Sequence, residues 1–306
     1  MDNSFTILLQ GRIEPKAMDF WANNLPNSKI VVSVWDDDIQ YDFPEDWNVV
    51  VNKKPIERIG FGNFDLQLLS TLEGLKTIHT QWVIKMRCDE YYSNLSFIVD
   101  KMISEPDKIM CGSLFFKEVG MHPFAISDHI IGGKTDNIKL MFQSAYENIK
   151  NGFWKLPIPE SQLGFGYLWE RDSEIREKVS DISIYDSLHP DPTPFNSDKG
   201  KMDVGMAIKS IETFTNRIRG ELGLETPQWK NIKVWNTLME YSVKDIERYL
   251  QKSEYPNINE REMLKRWFHI IDVNELKPYL ATAITNSGDR MWLESNFDNY
   301  LCITEI

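Results

Sequence analysis

The feature that most constrains this chain is a rhythm in its first half. Short apolar runs rich in β-branched residues, "FTILLQ" (5–10), "KIVVSVW" (29–35), "WNVVVN" (47–52) and "WVIKMRC" (82–88), are separated by stretches long enough for helices, among them "AMDFWANNL" and "NFDLQLLSTLEGLKTI". A strand that is apolar along its whole length must be covered on both faces, and helices between successive strands supply that cover. The pattern therefore predicts an α/β fold with a mostly parallel central sheet flanked by helices. "IMCGSLFF" (109–116) adds a further strand, and "DNIKLMFQSAYENIKNG" reads as a helix with an Asp/Asn start and a Gly stop.

Beyond this region the texture changes. "YDSLHPDPTPFNSDKGK" (185–201) contains three prolines with Asp, Asn, Ser and Gly, which marks a boundary. It is followed by helical patterns such as "YSVKDIERYLQKS" and "NEREMLKRWFHII". The expected organisation is an α/β domain over residues 1–195 and a mainly helical extension over 196–306. No repeat or low-complexity tract interrupts it. With 42% apolar and 26% charged residues the composition is that of a folded protein.

A net charge of −12, from 34 Lys and Arg against 46 Asp and Glu, argues against a nucleic-acid partner, since no basic cluster offsets it. Cys88, Cys111 and Cys302 have no metal-type spacing and fit a reducing compartment. No segment approaches the roughly 18 to 20 apolar residues that span a bilayer, and the N-terminus lacks signal-peptide character. A cytoplasmic protein without a transmembrane segment is expected.

Ligands in open α/β sheets bind where strand-end loops converge, so the carboxyl ends carry the chemistry. The first strand ends in Gln10, Gly11 and Arg12, the second in Trp35 and Asp36 to Asp38, and the fourth in "RCDEYY". None is a glycine-rich phosphate loop. The acids at 36–38 fit either a turn or contact with a base or ribose. In a strand spanning "WVIKMRCDEYY", Val83, Lys85, Arg87 and Asp89 share one face. Two cations there mean either a solvated edge strand or a central strand whose charges need partners. Under the second account the cations face a diphosphate and the acids hold a divalent metal, because Mg²⁺ or Mn²⁺ needs only one or two carboxylates beside phosphate oxygens.

Between residues 63 and 78, Phe64, Leu68, Leu72 and Leu75 form an apolar stripe, while Asn63, Gln67, Ser70 or Thr71, and Gly74 form a face of small and amide residues. That face is either solvated or lines a nucleotide cleft. Asp128 and His129 precede a Gly132–Gly133 pair read as a turn that either merely reverses the chain or approaches a sugar. Glu160 follows Pro159 at a helix start, where a carboxylate also serves as a cap. His79, His122, His189 and His269 form no zinc pattern, and no nucleophile elbow occurs.

Taken in order, "LLQGRI", "IVVSVWDDD", "NFDLQLLSTLEGL", "WVIKMRCDEYY" and "ISDHIIGGKTDNIKLMF" resemble the WavE-type lipopolysaccharide-synthesis family over roughly residues 5 to 170. The resemblance implies a GT-A-like glycosyltransferase that uses a UDP-, GDP- or TDP-sugar donor and a glycan acceptor, with Mn²⁺ or Mg²⁺ on an acid motif after the fourth strand. It implies Asp89 as principal metal ligand with Glu90 as helper, Asp36 or Asp37 at the base or ribose, Gln10, Gly11 and Arg12 along the nucleotide cleft, and Asn63 and Gln67 facing the donor. Lys85 and Arg87 join them as neutralisers of the diphosphate. The chain reads Cys88-Asp89-Glu90 where that fold usually has Asp-x-Asp. For an inverting reaction Glu160 is the first candidate for general base and Asp128 the second. The protein would then meet a membrane only peripherally, through its acceptor. Another carboxylate-metal enzyme, such as a nucleotidyltransferase, and a non-catalytic glycan-binding relative are the alternatives.

Overall fold

A computed structural model describes residues 5–24, 29–39, 41–59, 63–92, 94–112, 126–151, 159–178, 260–271, 275 and 280–283. The apolar runs become the strands β1 (Phe5–Gln10), β2 (Lys29–Trp35), β3 (Asn48–Asn52) and β4 (Trp82–Arg87), with the helices α1 (Pro15–Asn24) and α2 (Phe64–Lys76) between them. There follow β5 (Glu90–Tyr92), α3 (Ser96–Ser104), β6 (Ile109–Gly112), β7 (Ile130–Lys134), α4 (Thr135–Asn151), α5 (Pro159–Arg171) and α6 (Ser173–Lys178). The last described elements are α7 (Glu260–Trp267), β8 (Phe268–Ile271) and β9 (Leu280–Ala283).

Seven strands form one sheet in the order β3-β2-β1-β4-β7-β6-β8. Strands β3, β2, β1 and β4 are parallel, as continuous apolar runs require, while β7 runs antiparallel to both β4 and β6. Period-two alternation sends Leu8, Val31 and Val83 into a core beneath α2, α4 and α5. The intervening Ile7, Leu9, Val32, Ile84 and Met86 enter a second core with Met18 and Trp21 of α1 and Ile98 and Met102 of α3. The mixed α/β architecture expected from the sequence is borne out.

Three local expectations are corrected. The Gly132–Gly133 pair is not a turn: both residues lie inside β7 and are buried. A Cβ on Gly132 would sit 2.8 Å from the Met102 sulfur and 2.9 Å from Ile98 Cδ1, so the missing side chain lets α3 close onto the sheet. The pattern read as one helix through Ile271 stops at Trp267. Phe268 and Ile271 are buried in the two cores, and the segment pairs in parallel with β6 as an edge strand. Finally, the run from Trp82 to Tyr92 is two strands: the chain turns at Cys88 and Asp89, and β5 leaves the main sheet to pair with β9. The boundary expected near residue 195, together with Cys302, His122 and His189, lies outside the described residues. No helix among the described residues is long and apolar enough to cross a membrane.

Candidate functional site at the carboxyl edge of the sheet

Strand β4 is central, flanked by β1 and β7, so the account of Lys85 and Arg87 on a solvated edge strand fails. The register sets Gln10 beside Arg87, and Cys88 donates its backbone N–H to the Gln10 carbonyl at 2.9 Å. Gly11, with φ of +115° and nothing within 4 Å of a built Cβ, turns the chain away there. The crevice between β1 and β4 is the topological switch point, because β1 connects toward β2 and β4 toward the opposite half of the sheet.

Charges crowd this edge. Arg87 donates from Nε to Asp89 Oδ1 at 2.8 Å and from Nη2 to Asp89 Oδ2 at 2.7 Å, a bidentate pair whose geometry requires the turn after β4. Its Nε also lies 3.5 Å from Glu90 Oε1. Burial opposes the guanidinium charge, but the Asp89 hydrogen bonds and the fields of Asp89 and Glu90 outweigh it and raise the pKa above the ordinary arginine value. Glu90 is fully buried, with Oε1 against His129 Nδ1 and Oε2 accepting from the Tyr92 hydroxyl at 3.5 Å. Burial and then the Glu90 charge push the Tyr92 phenol well up. The Trp21 indole N–H donates to the Glu90 carbonyl at 3.2 Å, tying α1 to the same turn.

Asp128 joins this cluster just before β7. Its Oδ2 accepts from Gln67 Nε2 of α2, and its carbonyl accepts from Lys85 Nζ at 2.7 Å. Burial alone would raise the Asp128 carboxyl, yet the charge of Lys85, followed by His129 and Arg87, holds it well below the carboxylate range. Lys85 itself is completely buried, which pushes its ammonium pKa down despite Asp128 nearby. Its Nζ is engaged inside the protein by the Asp128 carbonyl.

Beyond the exposed Asn63, the small and amide face of α2 turns toward the protein interior, with Ser70, Thr71 and Gly74 buried. Gln10 Nε2 donates to Ser70 Oγ at 2.8 Å, and Ser33 Oγ donates to the Ser70 carbonyl at 2.6 Å. Asn52 Nδ2, at the end of β3, donates to Ser33 Oγ and to the Val34 carbonyl, both at 2.9 Å. Ser70 was read from the sequence as part of that face, whereas Ser33 and Asn52 were not singled out, because one polar residue within or closing an apolar run carries no pattern until strand order is known. His129 was quoted but given no role, since its partner Glu90 is distant in sequence.

The remaining expected residues sit at the periphery. Arg12, Asp36 and Asn63 are exposed at the same edge, and Asp37 pairs on the surface with Lys54, which lowers its carboxyl pKa. Glu160, half-buried in the first turn of α5, accepts from the Ile126 N–H through its carbonyl at 3.2 Å, which brings the start of α5 beside the irregular segment leading to Asp128. As they stand, the carboxylates expected to hold a metal do not fit a hard divalent cation: both Asp89 oxygens accept from Arg87, and Glu90 is shut in by His129 and Tyr92. Among the described residues no group of three His, Cys, Asp or Glu side chains could hold a metal.

No curated protein matches the chain. The family model described as WavE lipopolysaccharide synthesis matches residues 10–153, bearing out the resemblance read from the sequence. The matched segment contains Gln10, Asn52, Gln67, the Lys85 to Glu90 turn and Asp128, so the similarity to the WavE lipopolysaccharide synthesis family takes in the residues of the crevice.

Proposed function

We propose that the protein is a glycosyltransferase of GT-A-like fold that moves a sugar from a nucleoside-diphosphate sugar to a hydroxyl of a glycan acceptor in lipopolysaccharide or other surface-glycan synthesis. The observation that carries this reading is the Arg87–Asp89 pair at the β1/β4 switch point, after the fourth strand of a mostly parallel sheet, inside the WavE segment. In such a transfer the bond between the anomeric carbon and the diphosphate oxygen breaks, and negative charge grows on the departing nucleoside diphosphate. A guanidinium aimed in advance stabilises that charge with two parallel donors and needs no reorganisation as the bond lengthens. Asp89 does the aiming.

An inverting reaction also needs a base for the acceptor hydroxyl. Asp128, held far below the operating pH by Lys85, is a weak proton acceptor, and its role in this reading is to position Gln67 and Lys85. The base role falls to Glu160, on the helix that begins beside Ile126. The test is a panel of UDP-, GDP- and TDP-sugars, read by release of nucleoside diphosphate with and without glycan acceptor. Release with one donor, lost in Arg87→Ala, supports the proposal. Release of pyrophosphate points to a nucleotidyltransferase, and no binding of any nucleotide sugar ends the reading.

A further inference from the structure

The hydrogen-bond chain beneath the carboxyl edge has a fixed direction. The Val34 carbonyl only accepts, so the Asn52 atom facing it at 2.9 Å must be the amide nitrogen. The same nitrogen faces Ser33 Oγ, whose proton is committed to the Ser70 carbonyl. At the other end the Ser70 hydroxyl gives its proton to the Leu66 carbonyl at 2.8 Å, so it accepts from Gln10, and the Gln10 amide also points its nitrogen inward. Both side chains are more than nine-tenths buried, at 5% and 8% exposure, and both close a strand at the crevice edge. What each has left is its carbonyl oxygen, uncommitted among the described residues. Two amides that elsewhere swap donor for acceptor by flipping are here locked with their nitrogens inward and only their oxygens to offer, since a flip would set carbonyl against carbonyl at Val34 and oxygen against a committed hydroxyl at Ser70.

From this geometry we infer that Asn52 is a specificity residue for the donor's base: its locked carbonyl oxygen accepts from a ring N–H, favouring uracil, thymine or guanine over cytosine or adenine, while Gln10 accepts from a ribose hydroxyl. The inference rests on the glycosyltransferase reading for the presence of a nucleotide. It adds the residue that reads the base, and the reading follows from pairing-edge chemistry. Uracil and thymine at N3 and guanine at N1 carry a hydrogen, whereas cytosine N3 and adenine N1 are bare acceptors that would face the Asn52 oxygen lone pair to lone pair. A misplaced polar atom in a buried site is rejected more strongly than a missing methyl group is.

The experiment is calorimetric titration of the full chain with UDP, GDP, CDP and ADP, and with UDP methylated at N3. The expected result is that UDP or GDP binds about tenfold or more tightly than CDP and ADP. Methylation at N3 lowers UDP affinity to the CDP level, and Asn52→Ala narrows the gap while leaving the weaker ligands unchanged. The comparison of ligands on the unaltered protein needs no variant, so poor folding of Asn52→Ala does not remove the test. Equal affinity for UDP, CDP and the methylated ligand overturns the inference and leaves the glycosyltransferase reading intact. Failure of every nucleotide to bind overturns both.

Discussion

Asp65 is the buried carboxylate whose loss should be felt most. It accepts four hydrogen bonds: from Arg58 Nε at 2.7 Å, Arg58 Nη2 at 2.5 Å, the Ile59 N–H at 3.0 Å and the Leu66 N–H at 2.8 Å. It thus fastens the segment that follows Asn52 to the first turn of α2, which leads on to Gln67. Asp65→Ala strands two backbone donors and removes the carboxylate that Arg58 pairs with. Each hydrogen bond to a charged acceptor is worth about 1.5 kcal/mol, and partial exposure of Arg58 lets water recover some of the loss, so the net cost comes to about 3 kcal/mol. Arg58→Ala costs about 2 kcal/mol, because it leaves a buried carboxylate on two amides alone. The double variant should lose less than the sum of the two, with a coupling of about 2 kcal/mol. Equilibrium urea unfolding of the four proteins measures the cycle. Strictly additive losses, or an Asp65→Ala protein within about 0.5 kcal/mol of the parent, would refute the account of this clamp.

Other outcomes follow from the same cluster. Asp89→Asn and Arg87→Ala should each lower turnover by about a hundredfold or more with the far-UV circular dichroism spectrum unchanged, as expected when a preorganised donor loses its aim. Lys85→Met removes one partner of a buried charge cluster and leaves the Asp128 carboxylate uncompensated, so urea stability should fall by about 3 kcal/mol and turnover with it; parental stability and turnover would show that the Lys85 field is idle. The Asp128 carboxyl has a folded pKa below its unfolded value, so its contribution to stability is complete above the ordinary aspartate range and is lost as the pH falls from about 4 downward. Acid titration of Asp128→Asn should therefore show a shallower loss of stability over that interval than the parent. Superimposable curves would contradict the proposed field of Lys85 on Asp128.

Much of this fold is legible in the sequence where burial is two-sided. The runs at 5–10 and 29–35 could be little else than central strands, and each matches its strand to the residue. Legibility fails where a tertiary neighbour overrides the local pattern. Gly132 and Gly133 look like a turn because glycine is a strand breaker in isolation, and only the close approach of Ile98 and Met102 shows why the strand needs Gly132. Phe268 to Ile271 continues a helical spacing but is captured by the open edge of β6. In the site, Arg87, Gln10, Gln67 and Asp128 can be picked out by charge and by position at strand ends. The pairing of Arg87 with Asp89 cannot, because it depends on the chain turning at Cys88, which the unbroken apolar run conceals.

The two late strands bear on how the protein is made. Glu90, whose carboxyl meets His129, sits in a strand that pairs with Ala283 and its neighbours, and the β6 edge is covered by β8. A nascent chain that has emerged only as far as α6 therefore carries an unsheltered ladder beside Cys111 and an unpaired β5, and it must hold both open until a distant segment arrives. Such long-range closure is slow and invites the wrong partner, another half-made copy among them. Expression of a fragment ending near residue 195 should for that reason yield aggregate, and the shorter piece is a poor substitute for the full polypeptide in any assay.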